Sequence, residues 1–312
     1  MISKIVGALF MCFFSIFCAM AQDAKSKVEV VTTLFPTYDF AKQIGKGKVN
    51  VSLLLPPGVE PHAFEPKPAD IVRISKADIF VYTGKFMEPW VEDILNGISN
   101  KNLVVVDASQ GIGLMADKDH DEEAEHEHGH HHHGGADPHI WLDLGNDQIM
   151  VNTIAKALVQ KDPANSTFYL DNAKEYNAKL IALDQRFKET LSTAKYKTII
   201  YGGHFAFGYF VRRYGLEHDS PYEGFSPNAE PSPKAVAELI NKLKVSGIKY
   251  IYYEELLDPQ VARVIASETG AKLELLHGAH NISKDELNRG VTFIDIMEDN
   301  LKKLKVGLEC EG

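Results

Sequence analysis

The chain has 312 residues, 45% of them apolar, enough for a sizeable buried core in one large or two medium domains. Its net charge of −10 is concentrated: seven acids and one lysine between Asp117 and Glu127 contribute −6. There is no basic stripe interleaved with aromatic residues, which argues against a nucleic-acid partner.

Residues 1–21 read as a cleavable export signal. Lys4 supplies the positive start, Ile5 to Phe17 the apolar stretch, and Ala19-Met20-Ala21 a small-x-small cleavage site. A lipid anchor at Cys18 is the rival reading, disfavoured because Phe17 stands where a small residue is needed. Export to the periplasm follows. Cys12 and Cys18 leave with the signal, so Cys310 remains alone and no internal disulfide is expected.

From residue 28, extended apolar runs alternate with helical patterns. "VEVVTTLF", "VNVSLLL", "ADIFVYTG" and "NLVVVDAS" are predicted strands; "PTYDFAKQIG", "KPADIVRISKA" and "MEPWVEDILNGI" are predicted helices. The alternation implies parallel βαβ units. A first α/β lobe is thus expected over 28–150, interrupted by a loop at 117–135 rich in histidine and acid. That loop holds His120, His126, His128, His130, His131, His132 and His133, and no apolar residue larger than alanine. Such a segment cannot offset the entropy of its own ordering, and it suits weak metal collection. Within it, His126-Glu127-His128-Gly129-His130 matches the H-E-x-x-H zinc-protease pattern. Two histidines on one helix face are needed for that chemistry, and a glycine-interrupted low-complexity run does not supply them.

Over 163–195 a long rigid helix is predicted to join two lobes. Ala173, Tyr176, Leu180, Leu183, Phe187 and Leu191 recur at helical spacing, no Gly or Pro occurs from Asn165 to Lys195, and Asn165 or Ser166 can cap the start. A second α/β lobe, 196–312, follows. Its predicted strands are "KTIIYGG", "KYIYYEE" and "AKLELLHG". "FAFGYFVRRYG", "SPKAVAELINKLKVSG", "PQVARVIASETG" and "TFIDIMEDNLKKLK" are its predicted helices.

Outside the loop lie His62, His139, His204, His218, His277 and His280. His62, His204, His277 and His280 each fall just past the C-terminal end of a predicted strand, the edge where open α/β sheets bind ligands. His139 enters from the long loop. Spacings of 77, 65 and 73 residues separate His62, His139, His204 and His277, two from each lobe, which points to a metal site in the cleft between lobes. Neutral imidazole suits borderline ions such as Zn²⁺.

"LLPPGVEPHAFEPKPADI", "DPHIWLDL", "YGGHFAFGYFVRRYGL" and "SPNAEPSPKAVAELI" resemble, in order, the hallmark segments of the cluster A-I substrate-binding proteins, which serve ABC importers of zinc and manganese. The resemblance covers essentially all of the mature chain. It implies a Zn²⁺ carrier, not an enzyme, acting with an ABC permease and its ATPase, and a monomer. It makes His62, His139 and His204 ligands; manganese members carry Glu at the third position. The family's fourth ligand is usually an Asp after the last strand. "LELLHGAHN" offers His277 at about that register, with His280 or water as alternatives. Asp137, Asp143, Glu230 and Glu254 are candidates to hold the ligating rings from behind. Other readings of the same residues are a manganese carrier, a periplasmic zinc buffer or chaperone without a transporter, and a zinc hydrolase.

Overall fold

A computed structural model describes residues 27–116, 135–222 and 230–311. The expected signal segment 1–21, with Cys12 and Cys18, lies outside the described residues, as do the seven loop histidines from His120 to His133.

The first lobe is a four-stranded parallel sheet of β1 (Val28–Thr32), β2 (Val49–Leu53), β3 (Ile79–Tyr82) and β4 (Val104–Asp107), ordered β2-β1-β3-β4. Val28 pairs with Val49, Val30 with Ile79, and Ile79 with Val104. Helices α1 (Phe35–Gly45), α2 (Pro68–Lys76) and α3 (Val91–Gly97) make the crossovers. Pro36 and Pro68 fall in the first turns of α1 and α2, where a missing N–H costs nothing. The strand order reverses direction between β1 and β3, which opens a crevice at the C-terminal edge.

The second lobe repeats the plan with shorter strands. Parallel ladders β5 (Thr198–Ile200)·β6 (Glu217–Asp219) and β7 (Tyr250–Tyr253)·β8 (Lys272–Leu275) are joined by one parallel bridge, Tyr201 to Tyr252. The resulting order, β6-β5-β7-β8, has the same reversal. Strand β6, sequence Glu-His-Asp, has no apolar run and was not expected; it is a three-residue edge strand set by its pairing rather than by its composition.

Two further helices lie between the lobes. Helix α4 (Leu144–Lys161) was not foreseen, and the boundary expected at residue 150 falls inside it. Asp143 caps it by accepting from the Gly145 N–H at 2.7 Å. Helix α5 (Ser166–Ser192) is the expected long helix, about 40 Å at about 1.5 Å per residue. Its six expected core residues are all buried, joined by Tyr169, Asn172 and Asp184. Neither Asn165 nor Ser166 caps it through its side chain; a 3-10 turn, Pro163–Asn165, leads in instead. The remaining helices are α6 (Gly208–Tyr214), α7 (Pro233–Ser246), α8 (Gln260–Thr269), α9 (Lys284–Arg289) and α10 (Phe293–Gly307).

One apolar cluster runs from Val28 to Leu308 and takes in residues of both lobes and of α5. The long helix is therefore part of a shared core rather than a bare rod. Polar ties reinforce it. Buried Asp39 on α1 accepts from Tyr176 Oη on α5 (3.1 Å) and from the Phe293 N–H that starts α10 (3.0 Å). Burial raises the Asp39 carboxyl above its ordinary pKa, against these bonds. Arg213 on α6 forks to Asp184 on α5 (2.7 and 2.8 Å) and reaches Asp143 at the start of α4 (2.6 Å). Arg213→Met would leave Asp143 without its cation and Asp184 with Lys188 alone, at 2.7 Å. Removing one partner of a fully buried pair costs about 3–5 kcal/mol; with the Arg213 side chain 20% exposed, we expect about 2 kcal/mol. A lowered urea midpoint with unchanged slope would show it, and a midpoint within error of the parent would show the fork to be dispensable.

Candidate metal centre

Four histidines converge. His62, His139, His204 and His280 each bring a ring nitrogen within 4.8 Å of the others. Ring centroids lie 5.0 to 5.9 Å apart. His139, His204 and His280 are buried and His62 is half-buried, so His62 marks the side open to solvent.

Each ring is placed by its local chain. His62 ends the turn-rich stretch after β2, where the Glu60 carboxylate accepts the N–H groups of His62 and Ala63, both at 2.9 Å. His139 precedes a 3-10 turn, Ile140–Leu142. Pro138 keeps Asp137 extended, and Asp137 Oδ1 accepts from both the His139 backbone N–H (2.9 Å) and ring Nδ1 (2.8 Å). Trp141, fully buried, packs edge-on against His139 and His280 and donates its indole N–H to Gly278 O at 2.8 Å. His204 follows β5 and Gly202-Gly203. Its Nδ1 pairs with Glu254 at the end of β7. A Cβ at Gly203 would come within 2.5 Å of Glu254 Oε1, so glycine is what lets that carboxylate approach. His280 Nδ1 pairs with Glu255 at 3.0 Å.

The pattern sets the tautomers of His139 and His280. A ring that donates its Nδ1–H to a carboxylate presents Nε2 as a lone pair. Nε2 of His204 and of His280 is buried without a hydrogen-bond partner. His62 and His139 meet Nε2 to Nε2 at 3.1 Å. Since His139 donates to Asp137 through Nδ1, the proton in that contact belongs to His62. Burial, with the charges of the neighbouring imidazoles second, lowers the His62 pKa to about 3 and that of His139 well below its ordinary value. Burial also disfavours charge on His280, but the Glu255 hydrogen bond and charge outweigh it and raise that pKa. Four imidazoles that bring ring nitrogens together, three of them backed by carboxylates, fit a borderline divalent cation once their ring nitrogens are free of protons.

At the fourth position the structure brings in the alternative, not the first choice. His280, not His277, joins the cluster. After β8 the chain turns through Ala279 in the left-handed region, φ 56°. His277 stays outside: its backbone is bracketed by the Asn300 amide (2.9 and 2.8 Å), and its Nδ1 accepts the Ala279 N–H at 2.9 Å. Two of the four rings still come from each half of the chain, and the turn bearing His280, held by Glu255, also docks on the first lobe. Phe35 N–H reaches His280 O (3.3 Å), Gly58 N–H reaches Ile282 O (2.9 Å), and the Asn281 amide donates to Pro56 O (2.7 Å) and Val59 O (3.0 Å).

Of the acids named as candidates behind the rings, Asp137 contacts His139 and Glu254 contacts His204. Asp143 does not; it caps α4 and binds Arg213. Glu230 is exposed and lines a groove with Tyr222, Pro233 and Val236, with no hydrogen bond to a ligating ring among the described residues. Glu255 was missed, although the adjacent pair in "YYEE" was the visible signal: successive residues leaving a strand point to opposite sides and can serve two rings. His218 stays on β6, exposed and stacked on Phe205. The root of the histidine-rich loop is tied down close by. Ala116 bridges Ala136, and Tyr209 Oη accepts from Met115 N–H (2.9 Å) and donates to Asp137 O (3.1 Å).

Comparison with known proteins places the chain in a family. Residues 30–307 match the family model described as zinc-uptake complex component A, periplasmic. The chain is 44% identical over 288 residues to the high-affinity zinc uptake system protein ZnuA of Bacillus subtilis (strain 168), covering 92% of this chain and 90% of that one. It is 35% identical over 299 residues to the zinc-binding lipoprotein AdcA of Streptococcus pneumoniae serotype 4, covering 96% of this chain and 59% of that longer protein. Its fold is similar to the crystal structure of the Zn(II)-bound ZnuA-like domain of Streptococcus pneumoniae AdcA, with a TM-score of 0.77 and 33% identity over 91% of this chain and all of that one. A buried carboxylate-backed histidine cluster in a two-lobed α/β frame and a family match over residues 30–307 lead to one assignment: the chain belongs to the family of periplasmic zinc-uptake complex component A proteins.

Proposed function

We propose that this chain is an extracytoplasmic zinc-binding protein that captures Zn²⁺ at His62, His139, His204 and His280 and delivers it to an ABC permease driven by its ATPase. The observation that carries the reading is the convergence of four imidazoles, three of them buried, with a carboxylate behind His139, His204 and His280. Zinc takes four ligands in a tetrahedral closed site, whereas a hydrolytic site keeps one position open for water. Here His280 fills the fourth position, which removes the footing of the hydrolase reading. Mn²⁺ prefers carboxylate and water oxygens, and none of the four converging donors is oxygen. Export through segment 1–21 fits this role, and no described helix is long and apolar enough to cross a membrane.

Calorimetric titration of the mature, metal-free protein tests the reading. We expect one tight Zn²⁺ site and a separate weak class. Deletion of 117–134 should abolish only the weak class. Equal affinity for Mn²⁺ and Zn²⁺ at the tight site, or its loss with the loop, would overturn the assignment of the four histidines as the carrier's site.

A further inference from the structure

The turn that delivers His280 has a complete hydrogen-bond account, and most of it leads to one side chain. Buried polar N–H groups need partners. Gly278 N–H donates to Glu255 Oε2 at 2.7 Å, Ala279 N–H to His277 Nδ1 at 2.9 Å, and His280 N–H to Glu255 Oε1 at 3.2 Å. The same Oε1 receives the His280 ring Nδ1–H at 3.0 Å. Glu255 is itself buried, 9% exposed. Between the two amides it binds sits Ala279, a non-glycine residue at φ 56°. Such a conformation persists only where its surroundings over-determine it, and the Glu255 carboxylate grips the chain on both sides of it. Space is also tight: a Cβ on Gly278 would come within 2.5 Å of the His280 ring.

We infer that Glu255 is the positioning residue of the fourth ligand: it shapes the 278–280 turn and holds the His280 ring with Nε2 facing the other three imidazoles. The inference rests on the zinc reading above and deepens it. Glu254 and Glu255 divide the work at the end of β7, one orienting His204 and the other His280, so a single dipeptide aligns two ligands that reach the site from different strands. The Glu255 carboxylate thus acts one hydrogen bond behind the cluster, as the orienter of an imidazole.

The test is competition titration with Zn²⁺ and visible absorption of the Co²⁺ form, on the mature chain and on Glu255→Ala, Glu255→Gln, His280→Ala and the double Glu255→Ala/His280→Ala. Loss of a supporting group of this kind weakens metal binding about 10–100-fold, and we expect that loss in Glu255→Ala. Glu255→Gln keeps the size and one acceptor oxygen, so it should fold as the parent does and lose less. The double variant should bind zinc within about twofold of His280→Ala alone, because a positioning residue has nothing left to position. Co²⁺ absorption of Glu255→Ala should shift toward that of His280→Ala. Losses that add in the double variant, or a Glu255→Gln protein with parental affinity and spectrum, would overturn the inference. A parent protein that binds no zinc would instead sink the functional reading itself.

Discussion

Zinc at a thousandfold excess over its Kd should raise the unfolding free energy of the metal-free protein by about 4 kcal/mol, and His139→Ala should remove most of that gain. The first figure is mass action on a ligand that binds only the folded state. It corresponds to a rise in Tm on the order of 10 °C for a chain of this size. His139 is the variant to choose because it is fully buried, its Nδ1 is committed to Asp137, and its Nε2 faces His62 at 3.1 Å. Its loss takes away a ligand that nothing nearby replaces. Acid should act on the metal-free protein too. His62 titrates near 3 in the fold and near 6.5 unfolded, so in that window the unfolded state binds more protons. Stability should therefore be full above about 6.5 and fall as the pH drops toward 3. His139, also depressed, acts in the same direction. His280 runs the other way in metal binding: its raised pKa means zinc must displace a proton, so affinity should climb with pH until that proton is gone. Scanning calorimetry with and without zinc between pH 5 and pH 8 reads all three effects. A zinc-induced shift that survives in His139→Ala would show the ring to be packing rather than ligand.

The second large effect should separate two histidines three residues apart. His280→Ala is expected to weaken zinc binding about 100-fold or more, if about 10–16 kcal/mol is shared among four ligands. His277→Ala should change it little. His277 contributes an acceptor to the Ala279 N–H, and the turn keeps its two bonds to Glu255 without it. Modest destabilisation is the expected phenotype there, of order 1 kcal/mol for one lost hydrogen bond. Competition titration of both variants decides the matter. If His277→Ala proved the more damaging for zinc, the turn would have to seat the other ring in the cluster. A companion substitution, His280→Asp, puts a hard oxygen beside three imidazoles and should narrow the preference for Zn²⁺ over Mn²⁺.

What could be read from sequence follows from what sequence encodes locally. The apolar runs at Val28 and Ile79 are the central strands and are largely buried, and those at Val49 and Val104 are the edges, with Val105 exposed; a continuous apolar run marks each of them. Six apolar positions of α5 were legible because they repeat at helical spacing over a segment without Gly or Pro. His62, His139 and His204 stood out because each sits in a quotable local frame: a Pro-Gly turn, an Asp-Pro step, a Gly-Gly step. The fourth ring was open between His277 and His280. The turn that brings His280 into the cluster has Ala279 in the left-handed region and bonds to Glu255, 25 residues earlier in the chain; neither leaves a mark in "LELLHGAHN". Strand β6 was lost for a related reason, since a three-residue polar strand owes its existence to its neighbour. Helix α4 was overlooked although Asp143 and the buried Met150, Ile154 and Leu158 spell it out.

The stapling of the His280 turn to the first lobe bears on how the protein comes into being. Asn281 reaches back 225 residues to Pro56, Phe293 reaches back 254 to Asp39, and Trp141 reaches forward 137 to Gly278. Contacts between such distant parts of a chain close late, because the loop entropy must be met before they form. A nascent chain crossing a membrane N-terminus first would have His62 and His139 outside long before His280 arrives. During that interval it has imidazoles but no closed cage, and metal can meet it only loosely. A cage of four imidazoles would close only once the chain past His280 has emerged and docked on the first lobe. If metal then meets a finished fold, zinc added during refolding should slow unfolding far more than it speeds folding.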